Sequence, residues 1–254
     1  MAAPSGDAAP SISPHLDAVA AGLLSYYKLL AELPYLPQDV IATPPEPDGW
    51  PEEDRAKFRR LGKSDAAVDL LCHIPYLTSR DFEVNYETLP IDWRSDRVYS
   101  FLDQYGALNL TGLEPAGQKL PSNVVSLTEG FNYGRYILLD VDTGMATDYS
   151  LLGGPDPMVP EEIWSTGLGW TKYETRPFVE LIADWTEKLR SLYWIAIPGR
   201  TPYRFKIRPP TGHEDLDQEE ARQIYRDHGW GTDNFRAEEC RAAMIAWDEE
   251  EVRG

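Results

Sequence analysis

Tyr136-Ile137-Leu138-Leu139-Asp140-Val141-Asp142-Thr143-Gly144-Met145-Ala146-Thr147-Asp148-Tyr149 is the stretch that decides the fold. Residues 136–139 are apolar at every position. A strand with one wet face would alternate, so this run predicts a central strand covered on both faces. Asp142-Thr143-Gly144 supplies turn chemistry, with Gly144 at positive φ and Asp142 bonding its own backbone. Met145 to Tyr149 is the returning strand. Upstream, Val124 to Thr128 is a third β-rich run, parted from Arg135 to Val141 by Glu129-Gly130-Phe131-Asn132-Tyr133-Gly134. The pattern predicts a three-stranded antiparallel meander over about 124–149. Downstream, Pro177 to Leu192 places Pro at the first helical position and Phe178, Leu181, Ile182, Trp185 and Leu189 on one stripe, suited to cover the sheet. Tyr193 to Ile197 is expected as one more strand, stopped by Pro198-Gly199.

Helical periodicity dominates the rest. Leu16, Val19, Leu23, Tyr26 or Tyr27 and Leu30 recur at three- and four-residue steps from His15 to Leu33, and Pro34 ends the run. A proline-rich connector holding Trp50 follows. Glu52 to Leu61 is a short helix stopped at Gly62, and Ser64 caps a second one closed by Pro75. Leu216 to His228 carries acids early and Arg226 and His228 late, before Gly229. Phe235 to Glu250 is a last helix, capped by Asp233 or Asn234. The expected class is α+β: an antiparallel or mixed sheet backed by amphipathic helices, with a helical C-terminal extension. Residues 1–14 are expected as a flexible arm, 15–198 as the α+β domain, and 199–254 as a linker and helical extension packed on it.

Composition narrows the function. The chain carries 24 Lys+Arg against 42 Asp+Glu, a formal charge of −18. That field opposes nucleic acid, whose phosphates need a basic footprint, and anionic membrane surfaces. It favours a basic protein partner. The first basic residue is Lys28, so no charged region precedes an apolar run of the secretory kind, and no stretch is long and apolar enough to span a bilayer. Two cysteines, Cys72 and Cys240, fit a reducing compartment, so cytosol or nucleus is expected.

Catalytic signatures fail one by one. Asp142-Thr143-Gly144 after an apolar strand imitates an aspartic-protease loop, but that chemistry needs two carboxylates about 3 Å apart. No second Asp-Thr-Gly or Asp-Ser-Gly exists here, and Met145 stands where that family places Ser or Thr. Asp140-x-Asp142 also resembles the nucleophile strand of haloacid-dehalogenase phosphatases and the metal-binding Asp-x-Asp of glycosyltransferases. Two carboxylates two apart face one side and could share a divalent cation, which makes Asp140 and Asp142 the metal-dependent alternative. Both of those folds need parallel βαβ units upstream, where this chain has helices and proline loops. His213-Glu214-Asp215-x-Asp217 is metal-compatible in type but sits in a polar link. No Gly-rich phosphate loop or nucleophile elbow is present, and no cofactor is implied.

The aromatics carry more. Eight Trp and 14 Tyr are a high load, and Trp164, Trp170 and Tyr173 fall in the irregular span Leu151 to Arg176. Aromatics on loops beside a sheet offer a recognition surface or a small-ligand pocket, or else cap the core under a long loop.

Leu61-Gly62-Lys63-Ser64-Asp65, Asp69-Leu70-Leu71-Cys72-His73-Ile74-Pro75-Tyr76, Val125-Ser126-Leu127-Thr128-Glu129-Gly130 and Tyr133-Gly134-Arg135-Tyr136 resemble uncharacterised proteins of filamentous fungi over most of 15–247. The strand–turn–strand from Tyr136 to Tyr149, followed by the helix Phe178 to Leu192, is similar in layout to the SUKH superfamily over Pro121 to Pro198. That group contains fungal cell-wall-synthesis regulators and bacterial toxin-immunity proteins. Where it opens with a helix, Leu-Pro and an aromatic-rich helix, this chain has only Leu33-Pro34-Tyr35 followed by prolines. The resemblance implies an α+β protein-binding module without catalysis, regulatory or toxin-neutralising, and it carries over no catalytic residue.

Overall fold

The computed structural model describes residues 14–154, 158–198 and 216–251. The expected arm, apart from Pro14, and the expected linker lie outside them. The architecture is α+β with antiparallel sheets and a C-terminal helical region.

Helix α1 (Pro14–Glu32) buries Leu16, Val19, Leu23, Tyr26 and Leu30 on one side, as its periodicity requires. After β1 (Ile41–Ala42) come α2 (Glu52–Arg59) and α3 (Asp65–His73). The Ser64 hydroxyl accepts the Ala67 N–H at 3.3 Å, the expected cap. Then β2 (Tyr76–Leu77) pairs with β1, β3 (Thr88–Pro90) follows, and α4 (Asp96–Tyr105) ends on Gly106 at φ 67°. The centre holds β4 (Val124–Ser126), β5 (Thr128–Gly130), β6 (Tyr136–Asp140) and β7 (Met145–Tyr149). A one-turn helix α5 (Glu161–Trp164), β8 (Thr175–Pro177) and α6 (Phe178–Arg190) come next, and α7 (Leu216–Asp227) and α8 (Ala237–Glu251) close the chain.

The main sheet has the order β4-β6-β7-β8, antiparallel throughout. Its register sets Leu139 between Val125 and Ala146, and Tyr136 opposite Tyr149. Strand side chains alternate, so the sheet has two different covers. Val125, Ile137, Leu139 and Ala146 join the main core with the stripes of α1 and α6, whose Tyr26 and Trp185 rings lie 5.8 Å apart. On the other face Val124, Tyr136, Leu138, Tyr149 and Tyr173 form a separate cluster, with Trp164 and Trp170 packed on it. Residues 136–139 are buried on both sides, as their unbroken apolarity predicts.

The structure corrects several local expectations. Val124 to Thr128 is two strands: the chain leaves the main sheet at Leu127, and β5 pairs instead with β3. Glu129 and Gly130 are therefore strand residues and the turn begins at Phe131. Tyr193 to Ile197 is no strand: it pairs with none of the sheets, and side chains of α7 bond its Ala196 carbonyl and the Leu192 carbonyl just before it. The Arg222 guanidinium donates to the Leu192 carbonyl and the Tyr225 hydroxyl to the Ala196 carbonyl, which docks α7 on this extended segment. Trp230 adds a bond to the Arg190 carbonyl, and Arg241 one to Pro34. Pro177 precedes α6 as the last residue of β8, and α8 starts past both expected caps.

Candidate functional site

At one end of the sheets three loops meet, and Glu87 ties two of them together. Residues 85–88 make a tight turn closed by the Thr88 N–H on the Asn85 carbonyl at 3.0 Å, with Glu87 at φ 48°. Few non-glycine residues accept that conformation, and it persists only where surroundings over-determine it. The surroundings here are explicit. The Glu87 carbonyl accepts the Phe131 N–H at 2.9 Å, and its carboxylate accepts the Tyr133 N–H at 2.8 Å. Thr88 Oγ1 takes the Arg135 N–H at 2.9 Å. A third loop joins when Leu152 N–H donates to the Asn132 carbonyl at 3.2 Å.

Two glycines make this approach possible. A Cβ on Gly134 would overlap the Glu87 carbonyl, and one on Gly130 would stand 2.7 Å from the Gly134 carbonyl carbon. Backbone packed so closely leaves the side chains no interior to enter, and they point out. Tyr86, Phe131, Tyr133 and Leu152 are 39%, 51%, 57% and 60% exposed, and Leu151 is exposed beside them. The Tyr86 hydroxyl is raised above its ordinary value by partial burial, then by the adjoining Glu87 carboxylate.

The base of this rim is polar. Glu129 on β5 is buried, and Arg80 and Arg97 reach its carboxylate, Arg97 at 3.8 Å. Burial raises the Glu129 carboxyl above its usual range, against the pull of Arg80 and then Arg97. Arg135 on the same turn pairs with Asp148 of β7 at 3.5 Å. Burial likewise raises the Asp148 carboxyl, opposed by Arg135 and Arg176.

Trp164, Trp170 and Tyr173 are brought together, but over the outer face of the sheet. The Tyr149 ring lies 4.6 Å from Tyr173 and stacks on Trp164 at 6.4 Å. Tyr173 is buried and its hydroxyl donates to the Ser150 carbonyl at 2.9 Å; Trp164 and Trp170 are half-buried. The Trp170 N–H donates to Gln118 Oε1 at 3.0 Å and its indole to the Lys119 carbonyl at 3.2 Å. Each of these rings except Trp164 has a polar anchor, and the three form one cover.

Asp140 and Asp142 fall at a hairpin turn. Gly144 has φ 72°, as the turn requires, but the acceptor is Asp140 rather than Asp142. Asp140 Oδ1 takes the Asp142 N–H at 3.0 Å and the Asn123 amide at 2.9 Å. That oxygen is committed to the turn, while Asp142 is exposed. Among the described residues no three His, Cys, Asp or Glu side chains are grouped to hold a metal ion. The side chains of His213, Glu214, Asp215 and Asp217 lie outside the described residues.

Sequence reasoning passed over the rim because Phe131 and Tyr133 stand between glycines in what looks like turn chemistry. The available signal was two large aromatics where turns normally place polar residues. Among the described residues no helix is long and apolar enough to cross a membrane. Compared with protein-family models, with curated proteins and with solved structures, the chain gives no match.

Proposed function

We propose that this chain is a non-catalytic protein-binding module whose contact surface is the rim of Tyr86, Phe131, Tyr133, Leu151 and Leu152. One observation carries the reading: five large apolar side chains stand in solvent on a backbone pinned at every loop. Exposed aromatics on a rigid support are the composition of binding hot spots, and ordering cost is low when the loops are fixed beforehand. The charge of −18 favours a basic partner and predicts association that slows as salt rises. With the SUKH-like layout, the role is regulatory or toxin-neutralising, in cytosol or nucleus. Asp140 as a turn acceptor supports the non-catalytic side of the reading.

The test compares wild type with the double variant Phe131→Ser, Tyr133→Ser as baits in lysate of the source cell, with circular dichroism verifying the fold. Basic proteins retained by wild type and lost by the variant are expected. Equal retention by a folded variant overturns the rim as the contact surface. Concentration-dependent dimerisation of wild type, abolished in the variant, would assign the rim to a second copy of the chain and overturn the hetero-partner.

A further inference from the structure

The base of the rim holds more positive charge than its buried carboxylate requires. The Glu129 side chain is only 7% exposed, whereas those of Arg80 and Arg97 are 39% and 37% exposed. Both guanidinium groups converge on one oxygen, Oε1, Arg80 from the loop after β2 and Arg97 from the first turn of α4. One arginine is enough to neutralise a carboxylate. The second brings repulsion, because like charges disfavour each other's ionised forms. Burial, then the Arg80 charge, holds the Arg97 guanidinium below its ordinary range, against the pull of Glu129. Arg97 also stands at the end of α4 where the helix dipole is already positive and prefers an anion.

Among the described residues no other acid pairs with either arginine. Asp81, next to Arg80, accepts from the Ser79 hydroxyl at 2.8 Å, and Asp96, next to Arg97, pairs with Lys57 at 2.9 Å. Two arginines against one carboxylate leave a single positive charge uncompensated, at accessible side chains, in a protein of net charge −18. The surroundings are apolar. The Arg97 guanidinium lies over the Phe101 ring at 4.9 Å. The Phe131 N–H still bonds across to Glu87, so the β3–β5 ladder runs one residue past β5. Side chains two apart on a strand share a face, which puts Glu129, and the arginines on it, on the Phe131 side of the ladder.

We infer that Arg80 and Arg97 together receive one carboxylate of the partner that the rim holds. The open N–H groups of two guanidinium forks suit a planar oxyanion. Charge selects among oxyanions: a carboxylate balances the single excess charge, whereas a phosphate dianion would overshoot it in a chain already strongly acidic. An amine would meet two cations. A partner of basic overall charge must therefore show, at this contact, an acid beside an apolar group. The inference rests on the rim reading for the partner, but the arginine pair is testable without it.

The test follows the full chain by NMR, reading the Arg80 and Arg97 side-chain Nε–H signals. Three probes are added: N-acetylphenylalanine, its neutral amide and inorganic phosphate. The acid is expected to shift both signals saturably, with Kd on the order of 1–10 mM, and the amide to bind at least about tenfold more weakly. Arg97→Gln leaves Arg80 and Glu129 as a balanced pair and should weaken the acid at least about tenfold. Glu129→Gln removes the competing carboxylate and should tighten the acid about threefold or more. Arginines that serve only to satisfy Glu129 would show no such gain. Arg97→Gln, at an exposed position, decides the matter if Glu129→Gln fails to fold. No saturable shift at about 50 mM, an amide as tight as the acid, phosphate tighter than the acid, unchanged affinity in Arg97→Gln or no gain in a folded Glu129→Gln would each overturn the inference. Any of these, with capture still lost in Phe131→Ser, Tyr133→Ser, removes the arginine contact and leaves the rim. Capture by that folded double variant equal to wild type removes the rim, and with it the partner inferred here, whatever the acid does.

Discussion

Two aromatic regions of this protein are built from the same residue types and end in opposite circumstances. Over the outer face of the sheet, Tyr149 contacts the Trp164 and Tyr173 rings, Trp170 packs on the same cluster, and the Trp170 and Tyr173 polar atoms donate to named acceptors. At the rim, Tyr86, Phe131 and Tyr133 stand out from a backbone held by main-chain bonds and by the Glu87 and Thr88 side chains. What separates the two is the backbone beneath. Where the loop is long, from Leu151 to Thr175, its rings can fold back and close a face. Where the loop is short and glycine-bounded, they cannot.

The comparison breaks first at Tyr149. Its ring is fully buried among Tyr136, Trp164 and Tyr173, so Tyr149→Ala should cost about 3–5 kcal/mol in denaturant unfolding. A loss under about 1 kcal/mol would mean the outer cover is loose and its aromatics are as available as those of the rim. Gly134→Ala should come next, at about 1–3 kcal/mol, because its methyl group must displace the Glu87 carbonyl. It should also reduce partner capture, a loss that Tyr149→Ala does not specifically predict.

Glu129 sharpens the comparison through pH. Its folded carboxyl is raised above the ordinary 4.5, so in the window just above that value the folded state binds more protons than the unfolded one. Stability contributed by this group therefore falls as pH rises and is recovered on acidification. The melting temperature of wild type relative to Glu129→Gln should increase from pH 7 to pH 5; a difference that stays flat or shrinks would place the carboxylate in a wetter base than described. The rim double variant Phe131→Ser, Tyr133→Ser should change stability by no more than about 0.5 kcal/mol, although it removes two aromatics. Smallest of all, Asp140→Asn with Asp142→Asn should be near silent, since Asn keeps the Oδ1 that accepts from Asn123 and Asp142. Magnesium- or manganese-induced thermal stabilisation of wild type, absent in that pair, would restore the metal-dependent reading.

What the sequence made legible is what local chemistry determines. The unbroken apolar run 136–139, the Gly144 turn, the Ser64 cap and the α6 stripe each follow from a handful of adjacent residues. The three-residue strands β3 and β8 carry no such pattern, and exist because distant partners, Thr128–Gly130 and Met145–Thr147, present an edge to them. Tyr193 to Ile197 misled for the converse reason: Trp194 to Ile197 are as apolar and buried as a strand, yet what bonds the Ala196 carbonyl is the Tyr225 hydroxyl of α7 and not a neighbouring strand. The rim depends on Glu87, a residue type with no preference for positive φ, gripping a turn 44 residues away; its base gathers Arg80 and Arg97 on Glu129 across comparable gaps. Neither has a signature in any window of sequence.

The grip of Glu87 on the turn at 131–135 has a consequence for how this protein can change over generations. Gly130, Gly134 and Glu87 fix where the turn sits, whereas Phe131, Asn132 and Tyr133 project from it and support nothing. Mutation at the first three is filtered by folding; mutation at the second three is filtered only by whatever the chain must hold. The rim is thus a position at which single substitutions can exchange one partner for another while the rest of the molecule is inherited unaltered.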